Sequence, residues 1–581
     1  MAKPKLTSQS ARAGGSEAAE GHPWLGAYPE GVDWGMTIEP TLVGSLLDAA
    51  VLSFGSRPCT YFLGRRLSFA EIGRLSDQAA KGLQELGVGE GAKVGLFLPN
   101  SPTFVVFYHA ILKAGGTVVN FNPLYTIEEI EAQARDSGTR IMVTLDLAAT
   151  FDKVEALLAR GALDRAVVAS FAALLPPIKA LGLKLRRGPR LAQVDSSPER
   201  AKIVRERELL ANDGNYLRPA IKPDNVAVLQ YTGGTTGTPK GAILTHANLS
   251  INVKQVTAWW NRTPDHEDSV VGVLPLFHVF AMTTVMNFGI SQGMQMILVP
   301  RFELIETLKL ITKLRPTMMP GVPTLYNAMM RHPHIGNFDL SSLEFCISGG
   351  AGLPIEVKRG FEAISGCTLT EGYGLSETSP VATCNPYDRA PKEGSIGLPL
   401  PGTEISIRAL DDPAIELPRG ESGEICIAGP QVMPGYWNKP EETESAFVGR
   451  FFRSGDVGYM DEEGFIFIVD RIKDMINASG FKVYPRRIED ALYQHPSVAE
   501  ATVIGISDAY RGEAPKAFVK LKQGETTTAT ELLEFLRQKL SSIELPAEIE
   551  FRDELPKTMV GKHSKKELRA ESAGKSRSGS S

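Results

Sequence analysis

The strongest constraint on this chain is its rhythm. Short β-branched runs alternate with amphipathic stretches such as EIEAQARDSG and FELIETLKLITKLRP. The runs are KVGLFLP (93–99), TVVNFN (117–122), RIMVTL (140–145), NVAVLQYT (225–232), GMQMILVP (293–300) and LEFCISGG (343–350). Strands that alternate with helices assemble into mostly parallel sheets covered by helices, so the expected fold class is α/β. At 581 residues the chain exceeds what one hydrophobic core organises, and two or more domains are expected.

The rhythm changes twice. From about residue 403, EISIRAL, GEICIAG and GFIFIVD read as strands separated by Gly, Pro and acidic turns, a small β-rich subdomain over 403–470. After the polar run DRIKD (470–474) a compact α+β unit follows. Its helix YPRRIEDALYQHP has proline at the start and Ile488, Leu492 and Tyr493 on one face. The expected organisation is a large N-terminal domain over 36–472 and a small mobile C-terminal domain over 473–570. A disordered arm (1–35) and a disordered tail (571–581), both polar and rich in small residues, are expected to flank them.

Composition excludes several classes. A net charge of -5 argues against nucleic-acid binding, which needs a basic surface. The N-terminal segment lacks the apolar core of a signal peptide, and the five cysteines are scattered without metal-ligand spacing. A reducing, cytoplasmic setting with buried thiols is expected. Val270 to Pro300 carries no charge, yet Pro275, His278, Asn287, Gln292 and Gln295 interrupt it. It reads as a buried strand running into a buried helix.

The stretch YTGGTTGTPKG (231–241) concentrates glycines and threonines around Lys240. Glycines let the backbone turn several N–H groups toward an anion, and threonine hydroxyls add donors that also approach a metal. A Walker loop opens directly into a helix after GK[ST]; here Pro239 precedes Lys240 and a strand follows, so that motif is excluded. Thr245 is placed to cap the next helix, HANLSINVKQ.

YTGGTTGTPKGAILTH resembles the phosphate loop of the acyl-adenylate-forming (AMP-binding) superfamily. EGYGLSETSP (371–380), FRSGDVGYMDEEGFIFIVDRIKD (452–474), NASGFKVYPRRIED (477–490) and ELPKTMVGKHSKKELR (554–569) match its further motifs in order. NPLYT (122–126) and CNPYDRAPKEGSIGLPLPGTE (384–404) are most similar to bacterial long-chain fatty-acid–CoA ligases.

The resemblance implies a set of site residues. Thr232, Gly233, Gly234, Thr235, Thr236, Gly237 and Lys240 would hold the phosphates, with Thr236 and Glu377 contacting Mg²⁺. Gly350 and Ala351 would run along adenine and the acyl group. Within Glu371, Gly372, Tyr373 and Gly374, Tyr373 would stack on adenine, and Ser376 would contact the α-phosphate. Asp456 and Arg471 would bind near the ribose, and Ser479, Gly480 and Phe481 would line the coenzyme A route. Lys562 matches the adenylation lysine, although its cation-rich surroundings also read as a solvated face. His563 follows it where the family often has an aliphatic residue. His278 falls beside the acyl site or is a core histidine, and Lys473 matches the hinge.

The implied activity joins a fatty acid to coenzyme A at the expense of ATP, through acyl-AMP and pyrophosphate. A medium-chain or aryl acid, or another acyl acceptor, stays open. Residues 174–190, LLPPIKALGLKLRRGPR, mix apolar and basic residues, as either a peripheral membrane-surface segment on the inner face or an ordinary packed insert would. Oligomeric state is open, a homodimer included.

Overall fold

The computed structural model describes residues 22–184, 189–232, 239–260, 262, 267–389, 391–479, 481–508, 510–558 and 561–578. Gly233, Gly234, Thr235, Thr236, Gly237 and Gly480 lie outside the described residues.

Among the described residues the β-branched runs form two large sheets, and the α/β expectation holds. In the nine-stranded sheet six parallel strands stand side by side. They are Thr368–Gly374, Phe345–Ser348, Met318–Gly321, Ser269–Gly272, Gln295–Leu298 and Pro58–Phe62, with antiparallel strands at both edges. The seven-stranded sheet is parallel from Ile203–Arg205 through Val226–Thr232, and the antiparallel strand Lys240–Thr245 closes it. Helix Pro102–Lys113 is buried at every position, as an element apolar on all sides must be. Asn100, just before it, donates to the carbonyls of Gly272 and Leu274 and accepts from the Leu276 N–H. That stitch fixes the loop that carries His278.

A third sheet, antiparallel throughout, spans Glu404–Arg408, Gly423–Ala428, Phe447–Val448, Phe451–Met460 and Ile466–Arg471. Its apolar side chains join the same continuous core as both large sheets. The fourth sheet, from Ile476–Ala478 to Glu548–Phe551, has its own core around Ile476, Ile488, Leu492, Val503, Val519 and Leu532. Helix Pro485–Tyr493 packs there through Ile488, Ala491 and Leu492. Lys473 lies in the turn between strands Ile466–Arg471 and Ile476–Ala478.

The 270–300 window is a strand, helical segments over Val279–Ser291 and a second strand, as its interruptions required. No helix among the described residues is long and apolar enough to cross a membrane. All five cysteines are buried and free. Thr245 caps helix His246–Trp260 by accepting from the Asn248 N–H at 3.0 Å.

Both ends need correction. Residues 22–35 are not a disordered arm. Trp24 is 3% exposed, and the Trp34 indole donates to the Thr403 carbonyl at 2.9 Å. The Tyr28 hydroxyl donates to the Pro399 carbonyl at 2.7 Å. Three aromatics closing an otherwise small-residue segment bury enough surface to offset its ordering entropy. At the other end helix Lys565–Ser578 continues through most of the expected tail, anchored by buried Leu568 and by Arg569 on Asp474 at 2.8 Å.

Trp24→Ala should lower unfolding free energy by about 3 kcal/mol, the usual cost of emptying a buried aromatic site. Thermal unfolding of the two proteins measures it, and an unchanged midpoint would show that the segment contributes no packing.

Candidate active site

A cavity of about 460 Å³ opens where the ends of several sheets meet. Parallel strands Phe345–Ser348 and Thr368–Gly374 deliver Gly349, Gly350, Gly372 and Tyr373 at their carboxyl ends, the usual place for a ligand crevice in such sheets. Thr232 and Lys240 enter from the two strands that flank the glycine–threonine loop. Ser454, Gly455 and Arg471 come from the antiparallel sheet, and Lys562 from the C-terminal unit.

The wall carries a linked set of charges. Asp456 and Arg471 sit opposite each other on neighbouring strands, and their side chains pair at 2.9 Å. The Tyr373 hydroxyl donates to the other oxygen of Asp456 at 2.7 Å. Asp456 itself is buried behind these two partners. Glu424, which the sequence reading did not single out, accepts from Arg453 at 2.8 Å and from the Gly455 N–H at 3.1 Å, and so shapes the turn that leads into Asp456. Its signal was present: a glutamate inside the fully buried strand Gly423–Ala428 needs partners.

Glu377 is buried in the wall and accepts from the Tyr436 hydroxyl at 2.8 Å. Burial raises its carboxyl pKa, against the pull of that hydrogen bond. Tyr436, also missed from sequence, lies under the Lys240 ammonium, 5.3 Å from the ring centre. No cluster of three or more His, Cys, Asp or Glu among the described residues could hold a metal unaided. One buried carboxylate, Glu377, suits Mg²⁺, which uses one or two carboxylates and completes its shell with substrate oxygens and water.

Lys562 reaches in over Gly350. A Cβ at Gly350 would stand 2.6 Å from Lys562 Cε, and φ there is 79°, so only glycine leaves the lysine its path. Burial and then the charge of Arg471 bring the Lys562 ammonium down to about 8. Burial and Arg471 likewise lower Lys473, which also lines the cavity. His278 lines it too. Its Nδ1 accepts from the Phe280 N–H at 3.3 Å, and burial, with Lys562 nearby, pushes its pKa to about 3. It is therefore a neutral imidazole with its proton on Nε2.

Several expected site residues stand elsewhere. Ala351 is exposed, because the left-handed turn at Gly350 directs the next residue outward. Glu371 does not line the cavity. It is buried under the 348–352 loop, where it accepts from the Leu353 N–H at 3.1 Å. Burial pushes its pKa to about 7 while Arg486 pulls it down. Arg486 belongs to the C-terminal unit, and a Cβ at Gly352 would lie 2.4 Å from its guanidinium carbon. The glycines of this loop thus receive two side chains from the C-terminal unit. Ser479 and Phe481 are exposed and outside the cavity, Phe481 at 63%, because the turn that bears them faces away when Lys562 faces in. Ser376 and Gly374 line the cavity with Tyr373.

Comparison with known proteins shows the family. Residues 47–437 match the model of the AMP-binding enzyme family, and residues 487–562 match that of the AMP-binding enzyme C-terminal domain. The chain is 42% identical over 543 residues to a long-chain-fatty-acid–CoA ligase of Bacillus subtilis (strain 168), covering 93% of this chain and 96% of the relative. It is 38% identical over 566 residues to a protein of the same name from Escherichia coli O6:H1, covering 95% and 98%. Among solved structures it is similar to ATP-bound MatB from Rhodopseudomonas palustris, with a TM-score of 0.77 and 30% identity over 91% of this chain and 98% of that one. The fold also superimposes on the anthranilate CoA ligase AuaEII in complex with anthranoyl-AMP, with a TM-score of 0.81 and 23% identity over 93% and 99%. This chain belongs to the AMP-binding enzyme family.

Proposed function

We propose that the protein is an ATP-dependent fatty-acid–CoA ligase. A fatty carboxylate attacks the α-phosphate of ATP and pyrophosphate leaves; the coenzyme A thiol then attacks the acyl carbonyl and AMP leaves. The observation that carries this reading is the arrival of Lys562, from a separate unit, in a cavity already walled by Arg471, Tyr373 and Glu377, with Asp456 buried behind Arg471 and Tyr373. The names of the two ligases to which the chain is similar favour a long acyl chain.

Each residue has a place in that chemistry. Tyr373, Gly350 and Gly372 offer a flat, close-fitting wall for adenine. Asp456 exchanges its bonds with Tyr373 and Arg471 for the ribose hydroxyls, and Ser376 reaches the α-phosphate. Thr232, Lys240 and the 233–237 loop hold the departing phosphates. Glu377, with Thr236, would hold Mg²⁺, which neutralises phosphate charge when bound. Lys562 supplies positive charge between the attacking carboxylate and the α-phosphate, an electrostatic contribution that needs no nucleophilic side chain. His278, being neutral, donates a hydrogen bond and transfers no proton.

The acyl tail has an apolar exit. A second cavity of about 30 Å³ shares Ile347 and Val381 with the first, and Trp260, Phe288, Phe345 and Tyr387 wall it. That is about one water's share of liquid volume, so chain length depends on how far these aromatic walls part. For the second step the C-terminal unit turns about Lys473, withdrawing Lys562 and bringing in Ser479, Gly480 and Phe481. Association with a membrane surface is also favoured by one feature: on helix Pro177–Lys184, Ile178 is 86% exposed and Leu181 60%.

A panel of acids from acetate to oleate, assayed for pyrophosphate release with coenzyme A present, should peak among long chains; no acid-dependent release from any member would refute the reading. Lys562→Ala should lower that release by roughly a hundredfold or more with ATP binding retained, whereas Lys473→Pro should spare acyl-AMP and slow thioester formation. Because Lys562 loses its proton as pH rises through about 8, kcat/KM for adenylation should fall on that side, and Lys562→Arg should carry the limb higher. Deleting 176–190 should reduce co-sedimentation with anionic phospholipid vesicles; unchanged sedimentation would dispose of the membrane surface.

A further inference from the structure

The hold of the C-terminal unit on the large domain includes a narrow grip on backbone carbonyls. Helix Pro323–Met330 follows strand Met318–Gly321, whose end reaches the cavity. Thr324, Asn327 and Arg331, spaced by three and four residues, share one face of that turn. Thr324 Oγ1 donates to the Gly561 carbonyl at 2.6 Å, and Asn327 Nδ2 donates to the Ala499 carbonyl at 3.2 Å. Arg331 donates to the Val498 carbonyl at 3.4 Å and to Asn327 Oδ1 at 2.6 Å, which fixes the amide for its own bond. Carbonyls do not move with side-chain rotamers, so this face reads the position of the whole unit.

The grip is relayed to Lys562 by two routes. Gly561 is its neighbour, which makes the Thr324 bond direct. The second route runs along strand Val498–Asp508. Glu500, the residue after Ala499, lies 2.8 Å from Lys557 and 2.9 Å from Nε2 of His563. Burial would raise the Glu500 carboxyl, but hydrogen bonds from His563 and Lys557 outweigh it and hold it at about 2. Lys557 and His563 face each other across the hairpin that carries Lys562. Within it the Thr558 N–H donates to the Lys562 carbonyl at 2.7 Å, and Thr558 Oγ1 accepts from the Lys562 N–H at 3.2 Å. None of Thr324, Asn327, Arg331, Glu500 and His563 lines the cavity.

We propose that Thr324, Asn327 and Arg331 dock the C-terminal unit in the pose that inserts Lys562, and that Glu500 with His563 braces the lysine hairpin, making all five positioning residues for acyl-AMP formation alone. The inference rests on the acyl-CoA ligase reading. The second half-reaction requires Lys562 to withdraw, so it breaks this dock and gains nothing from it.

The two half-reactions separate the dock from ordinary structural support. The first is pyrophosphate release from ATP and oleate without coenzyme A. The second is thioester formation from oleoyl-AMP supplied with coenzyme A. The double variant Thr324→Val/Asn327→Ala, which loses two hydrogen bonds to the C-terminal unit and the Arg331–Asn327 bond that orients one of them, should slow the first by roughly tenfold or more and leave the second unchanged or faster. His563→Leu should do the same more weakly. Thr324→Ser and His563→Gln, which keep the donors, should retain wild-type rates in both. Equal loss in both half-reactions, or no loss in the first, would overturn the proposal. A wild-type protein that converts oleoyl-AMP and coenzyme A but releases no pyrophosphate would remove the ligase reading as well, and that result is distinct from either variant outcome.

Discussion

The pairing of Asp456 with Arg471 is the contact around which the site is arranged. It joins two neighbouring strands, and Arg471 is the last residue of its strand, two positions before Lys473. The same ion pair therefore holds one wall of the cavity and the strand end from which the chain leads into the C-terminal unit. Arg471, Lys473 and Lys562 crowd toward one another, and the nearby charge of Arg471 lowers both lysines. Such crowding is costly in a low-dielectric cavity and is relieved by a polyanion. A polyanion in this cavity would therefore favour the pose that brings Lys562 in.

The 348–352 loop carries a second consequence. Its glycines suit close approach to a nucleotide, but two of them are closely approached by side chains of the C-terminal unit. Lys562 passes over Gly350, and Arg486 lies against Gly352 with Glu371 buried beneath. The loop is a floor for the cavity and a socket for the C-terminal unit at once. A change there acts on substrate fit and on domain pose together. The ledge formed by helix Pro323–Met330 grips the unit by main-chain carbonyls, away from the reacting groups.

His563 illustrates how a residue without meaning in sequence gains one in space. It stands in a cation-rich stretch, beside the lysine that reaches into the cavity. Its partner, Glu500, lies 63 residues away on another strand, and no local spacing could have paired them. Glu424 was closer to being legible, since a carboxylate in an apolar strand must find donors. Tyr436 offered no local signal at all, because its contact with Glu377 depends on two distant loops meeting.

The order of strands and helices and the α/β class were written in local pattern, while the site roles of the motif residues came from their resemblance to a known family. β-branched runs, glycine turns and short polar motifs act over a few residues, and their physics is local. Tertiary structure alone decided that Trp24 buries in the main core with Tyr28 and Trp34 packed against it, and that Glu371 faces Arg486 in place of the cavity. It also decided that Lys562 points in while Phe481 stays in solvent. Each of these is set by contacts between residues far apart in the chain, and those of Glu371, Lys562 and Phe481 by how the C-terminal unit seats on the large domain.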